Sequence, residues 1–421
     1  MIDLRHALVL AILAATLVLM LVRPGARSEA WYAAAGAAGM IAIGAVPVGA
    51  IPDLAGQTKS VLLFLAGMML LTGIAERAGV FATLADGCVR LARGSGRALY
   101  IALFVLGALV TATLSLDVTV IMLTPIVATL AARRKLDPIP FLFACVFVAN
   151  TASLALPVSN LTNLLVFARL EPGFVGFVRV MWLPNLVAAA VNLGLFLWLF
   201  RDRIPRRFST DDLAPLVVGR WQLTAGGITL ATLIAIFALG LADRPLWWAA
   251  IGGGGLLAAV AWERGRLKVR HLKRDLSPGI FVFVLAMTVV VDGFRRAFLA
   301  GRTIPVPHDQ ALAALTGIAG GAIGSNIVNN IPMTVLALSI VDGVPPEVRH
   351  ALAYGTLVGV NIGPALTTYG SLATMLWLTL VRRRDIAVST GDYLRISLVT
   401  VPAVLLAVGL TLIAVLVVQG A

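Results

Sequence analysis

Apolar runs long enough to cross a bilayer recur from one end of this chain to the other. A hydrocarbon core of about 30 Å takes roughly 20 helical residues to span. Inside it every backbone N–H and C=O must find a partner within the protein, which leaves only helices or a closed barrel. The runs are continuous and do not alternate between apolar and polar, so helices are expected. The 60% hydrophobic fraction and the mean hydropathy of +0.97 are far above those of a soluble domain. The first run, His6–Val22, lacks a small-residue cleavage site and is followed at once by another, so it reads as a retained span.

Ten spans are expected, at 6–22, 30–50, 59–76, 139–168, 180–200, 222–241, 246–262, 278–300, 351–380 and 396–418. Two further apolar stretches, 98–132 and 311–341, are each broken near the middle by a polar cluster, and each reads as a re-entrant hairpin. The net charge of +13 follows this layout. Of 33 basic residues, 24 fall on one side, among them Arg23 and Arg27, Arg133 to Lys135, Arg264 to Arg274 (Lys273 included) and Arg382 to Arg384. Such asymmetry marks the cytoplasmic side, not a nucleic-acid surface. It places the chain as a multi-pass protein of the inner (plasma) membrane with both termini outside the cytoplasm. "FATLADGCVRLARGSGR" (81–97) reads as an interfacial helix on the same side.

The two halves resemble each other. "TLSLDVTVIMLTPI" (113–126) and "AIGSNIVNNIPMTVL" (322–336) each set a polar cluster in an apolar stretch, with Ser115 against Ser325 at an offset of 210. "NTASLALPVSNLTN" (150–163) and "NIGPALTTYGSLAT" (361–374) each interrupt a long span, with Asn150 against Asn361 at 211. Five spans per half invert the second relative to the first. The expected fold is therefore an all-α polytopic membrane protein of about ten transmembrane helices and two opposed hairpins in two inverted repeats: 1–200, a cytoplasmic linker 201–221, and 222–421. Secondary transporters follow this plan and bind substrate near the midplane, between broken helices.

The polar clusters supply the candidate site. Ser115, Thr119, Asn150, Thr151, Ser153, Ser159, Asn160, Ser325, Asn326, Asn329, Asn330, Asn361, Thr367, Thr368 and Ser371 present hydroxyl and amide groups at membrane depth, to satisfy open backbone and to hold a ligand. Asp117 is the one acidic residue far from any membrane end. A carboxyl there costs about 2.5–3.5 kcal/mol even on the lenient insertion scale, which makes it a candidate proton carrier. Asp292, four residues before Arg296, reads as half of a structural pair. The two cysteines, Cys88 and Cys145, offer no metal spacing, and the four histidines lie in or beside loops. No metal or other cofactor is implied. With no HExxH, no pair of deep aspartates and no histidine near a deep serine, an enzyme is not expected. The four glycines 252–255 lack a preceding strand and read as close helix packing, not a phosphate loop.

"SNIVNNIPMTVLALSI" (325–340), "NTASLALPVSNLTN" (150–163), "LDVTVIMLTPIV" (116–127) and "GPALTTYGSLATMLWL" (363–378) resemble, in order and over nearly the whole chain, the arsenite efflux permeases of the ion transporter superfamily. The resemblance implies export of arsenite and antimonite driven by proton antiport and, for some members, a cytoplasmic ATPase partner. Three positions depart from the family: Asn150 and Leu116 stand where Asp and Asn are common, and Thr368 where Pro is common. Two readings from the same superfamily stay open: a sodium–proton antiporter using Asp117, and a carboxylate or other anion transporter using the helix N-termini.

Overall fold

A computed structural model describes residues 3–22, 24, 28–210, 215, 217–300, 302, 305–341 and 343–419. Arg23, Arg27, the Lys273 side chain and residues 211–214 and 216 of the expected linker lie outside this set. The protein is an all-helical polytopic membrane protein. Among the described residues, nine helices are long and apolar enough to cross a membrane. Three of these are hairpin arms (Gly96–Thr113, Leu116–Arg133 and Gln310–Val328), whereas the helices Glu29–Ala42 and Trp247–Glu263 fall short of that length.

Local chemistry sets the element ends. The span expected at 30–50 stops at Ala42, because Gly44 takes a left-handed conformation (φ 68°) and Pro47 lacks an N–H to donate. The next helix then starts early, at Ile51 with Pro52 in its first turn, and runs to Arg77. Each hairpin enters through a capped helix: the Ser95 hydroxyl accepts from the Ala98 N–H (3.3 Å), and the Asp309 carboxylate from the Leu312 N–H (2.9 Å). The spans expected at 139–168 and 351–380 are pairs of half-helices, Pro138–Thr151 with Leu161–Leu170 and Pro346–Ile362 with Leu372–Arg382. A helix begins at Arg220, so Arg220 and Trp221 belong to it and not to the linker.

The order of elements repeats: two helices, a long helix, a hairpin, a broken helix and a closing helix (Phe174–Leu199, then Thr390–Gln419). The turns align Ser115 with Asn329, not with Ser325, an offset of 214; the ends of the half-helices keep the offset of 211. The second arm of the first hairpin is longer than its counterpart and the half-helix Pro138–Thr151 shorter than Pro346–Ile362, so no single shift aligns both motifs.

Packing is closest where glycines let backbones touch. Along 310–328 and 346–362, a Cβ at Gly317, Gly321, Gly355 or Gly359, or at Gly363 in the turn that follows, would meet the backbone of the facing helix. Without a hydrophobic force between helices in lipid, such close contact is a main source of association. Gly254 faces Gly67 and Gly253 faces Thr232, as expected of close packing, while Gly252 and Gly255 face open space.

Contacts tie the basic loops into one face. Arg384 donates to Thr129 (2.7 Å), Arg134 to the Ser209 carbonyl (3.4 Å) and Arg203 to Asp137 (2.6 Å), and Arg77 pairs with the buried Asp275 at 2.5 Å. The helix Val80–Leu91 lies at this face and buries Phe81, Ala85 and Val89.

Candidate transport site

Both hairpins reverse on one residue with positive φ: Ser115 at 146° and Asn329 at 75°. Both combine the positive φ with an extended ψ (163° and 157°), a region essentially confined to glycine, so both turns carry local strain of the kind found at functional sites. The Ser115 hydroxyl accepts from the Val118 N–H (3.4 Å), capping the second arm. Asp117 thus stands in the first turn of that arm, at its positive end. It is half-buried and, among the described residues, has neither a hydrogen-bond nor an ion-pair partner. The arm then widens into a π-turn over Thr119–Leu123, a device common at functional sites. Thr119, fully buried, pairs its hydroxyl with that of Thr111 on the first arm (2.7 Å). The buried carboxylate in the last turn of helix 278–294, Asp292, is held by Arg295 (2.6 Å) and Arg296 (2.5 Å).

The second hairpin is laced to the break in its own half. Asn329 donates to the Tyr369 carbonyl (3.3 Å) and the Asn330 N–H to the Gly370 carbonyl (3.1 Å). The Asn326 amide donates to the Ala322 and Gly363 carbonyls, each at 2.8 Å, and accepts from Thr367 (2.7 Å). Ser325, fully buried, donates to the Ala322 carbonyl. Asn330 opens the returning arm, and its buried Oδ1 has no partner among the described residues.

The two breaks meet each other. Asn361 accepts from the Asn160 amide (2.8 Å) and the Thr162 hydroxyl (2.5 Å) and donates to the Asn163 oxygen (2.7 Å). Asn163 donates in turn to the carbonyls of Ser153 and Leu156, which satisfies backbone that no helix serves. Asn160 and Ser371 cap the half-helices that follow them. Asn150 and Thr151 bond back to carbonyls of their own helix, Ser153 to the Asn150 carbonyl and Ser159 to the Ala112 carbonyl of the first hairpin. Most of the expected residues therefore use their polar atoms on the scaffold of the breaks. Among the described residues, Asp117, Asn330 and Thr368 keep side-chain atoms without a partner. Sequence reasoning missed Thr162, Asn163 and Asn185. Asn185 accepts from the Leu154 and Ala155 N–H groups (2.9 and 3.1 Å), and its one signal was a Pro184–Asn185 pair inside an apolar span.

A cavity of about 890 Å³ lies between helices 51–77 and 278–294 on one side and 161–170 and 330–341 on the other. None of the residues expected from the sequence lines it. Gln57, Thr58, Ser60, Thr288 and Ser339 do, with Arg169, Glu171, Asp243, Arg244 and the Asp292–Arg295 pair also in the wall. Thr58, Thr288 and Ser339 donate their hydroxyl protons to carbonyls of their own helices. They face the cavity as acceptors, which suits a solute rich in O–H donors. Among the described residues no group of three His, Cys, Asp or Glu could hold a metal, and both cysteines are free.

A family model described as "Citrate transporter" matches residues 7–367. An arsenical pump membrane protein of Yersinia enterocolitica is 30% identical, over 91% of this chain and 93% of its own length. One from Escherichia coli is 28% identical, over 92% and 94%. The solved YdaH transporter of Alcanivorax borkumensis, 15% identical, shares the fold with a TM-score of 0.56, over 99% of this chain and 98% of that one.

Proposed function

We propose that this chain, which belongs to the arsenical pump membrane proteins within the citrate-transporter family, exports arsenite and antimonite from the cytoplasm in exchange for protons. The observation that carries the reading is the likeness to arsenical pump membrane proteins over more than nine-tenths of both chains. The arginine-rich face is the cytoplasmic one, the termini lie outside, and the halves are inverted about the midplane.

The chemistry of the site supports this. Arsenite near neutral pH is mostly an uncharged triol, which needs acceptors for its hydroxyl hydrogens. Asp117, a half-buried carboxylate without a partner among the described residues, is one, and the hydroxyl oxygens of the cavity, whose wall does not include Asp117, offer others elsewhere along the path. Three thiolates are not available from two cysteines, and a carrier must release what it binds. Moving a neutral solute gains nothing from the membrane potential, whereas each proton entering contributes about 2.3 kcal/mol per 100 mV. A proton reaching Asp117 from outside cancels its acceptor strength and releases the triol. A cytoplasmic ATPase partner is compatible with the same cycle.

A second reading, transport of a carboxylate anion, is favoured by the family's description and by Arg169, Arg244 and Arg295 in the cavity wall. Everted membrane vesicles with an acid interior separate the readings. Uptake of arsenite that collapses when the pH gradient is dissipated supports export by antiport. Uptake of citrate or sodium without arsenite uptake overturns it.

A further inference from the structure

On the arginine-rich face a cleft of about 260 Å³ lies between helix 80–91 and the end of the second arm of the first hairpin. Three arginines converge on it: Arg133 and Arg134 from the end of the arm, and Arg384 from beyond the half-helix 372–382 of the other half. Arg384 is steered by its hydrogen bond to Thr129, and Arg134 by one to the Ser209 carbonyl. Arg133 has no partner among the described residues. Asp86 is the single acid in the lining, so the cleft keeps a positive surplus, and Val89, Ile126 and Leu130 give it an apolar floor.

Helix 80–91 shows where the cleft sits. One stripe, Phe81, Ala85 and Val89, is buried against the protein, yet Leu84 and Leu91 on another stripe are 45% and 74% exposed. A short helix that is apolar both toward the protein and away from it, with basic residues around it, belongs at the membrane interface. Basic pockets between helices at that depth suit phosphate headgroups.

We propose that this cleft binds the phosphate of an anionic phospholipid headgroup. The apolar floor and the interfacial helix favour a lipid over a soluble phosphate. The bound lipid bridges the two halves of the chain through Arg133 and Arg384. It also grips the arm whose opposite end carries Asp117, about 24 Å away at 1.5 Å per residue. Lipid composition thereby acts on the hairpin, whichever solute is carried.

The test uses the full chain purified in detergent and reconstituted in phosphatidylcholine vesicles with or without phosphatidylglycerol. Mass spectrometry of the intact protein reads retained lipid, independently of transport. The unaltered protein should retain phosphatidylglycerol and show faster solute flux in its presence. Arg133→Gln with Arg384→Gln should lower retention on the order of thirtyfold, at about 1 kcal/mol per cation, and abolish the flux increment. Arg133→Gln alone, a change at an exposed side chain, should give a smaller loss and guards against misfolding of the double variant. Arg264→Gln with Arg266→Gln, which removes two cations stacked on Trp221 elsewhere on this face, should keep both responses. Equal retention by the cleft variants, or equal loss in the Trp221 pair, overturns the proposal. So does inorganic phosphate reproducing the increment in pure phosphatidylcholine, which would make the ligand soluble.

Discussion

Asn361, in the second half of the chain, accepts a 2.5 Å hydrogen bond from the hydroxyl of Thr162 in the first, with both side chains buried. Asn160 and Asn163 complete the set, so one amide joins the two helix breaks. Asn361→Leu removes it and leaves three buried polar groups short of a partner, each costing about 1–3 kcal/mol. A clear drop in melting temperature in detergent is expected, together with loss of transport. Thr162→Val, which removes one hydroxyl, should cost less. Equal stability of Asn361→Leu and the parent would mean that the breaks are held by other contacts.

The glycine seam between 310–328 and 346–362 makes a second prediction. Gly355→Val or Gly359→Val drives a side chain into the facing backbone and should sharply reduce the amount of folded protein recovered. Gly252→Ala, in open space, should be tolerated, with a change of no more than about 1 kcal/mol, since alanine is the better helix former. Size-exclusion profiles of the solubilised variants would show the contrast.

Asp117→Asn keeps the size of the side chain and removes its titration. The variant should still bind antimonite but fail to concentrate it in everted vesicles, whatever pH gradient is imposed; Asp117→Glu should retain part of the coupling. Accumulation by Asp117→Asn in proportion to the gradient would move the proton role elsewhere. Asp292, buried in the last turn of helix 278–294, is the next candidate, although both its oxygens are held by arginines.

Cys88 and Cys145 are free and sit on different helices, the latter buried. Replacing them with Ser and Ala respectively should leave metalloid resistance largely intact. Complete loss of transport in a normally expressed double variant would return thiols to the binding step.

Orientation is open to labelling. In intact cells, cysteines introduced at 207 and 268 should react only with membrane-permeant reagents, and one at 244 with impermeant ones. Reaction of 207 or 268 from outside would reverse the assignment of faces.

The sequence by itself determined the helical membrane fold, the two hairpins, the two broken spans and the division of charge. Each depends on local rules: the length of apolar run a bilayer demands, the cost of polar backbone within it, and the placement of Pro, Gly and capping residues at helix ends. It also singled out Asp117, because a lone deep acid is conspicuous in any apolar run. What each asparagine does was decided only by tertiary structure. Asn361 and Asn330 look alike as letters, yet one is saturated by three partners from the other half and the other has a bare buried oxygen. A side chain's polar atoms are claimed by whichever groups folding brings near, and those groups lie some 200 residues away in sequence. The same holds for the cavity, whose wall comes from five separate segments and takes its acceptors from ordinary Thr and Ser residues of three of them, and for the turn that pairs Ser115 with Asn329. Spacing along the chain cannot register a gap between helices. Only their packing creates one.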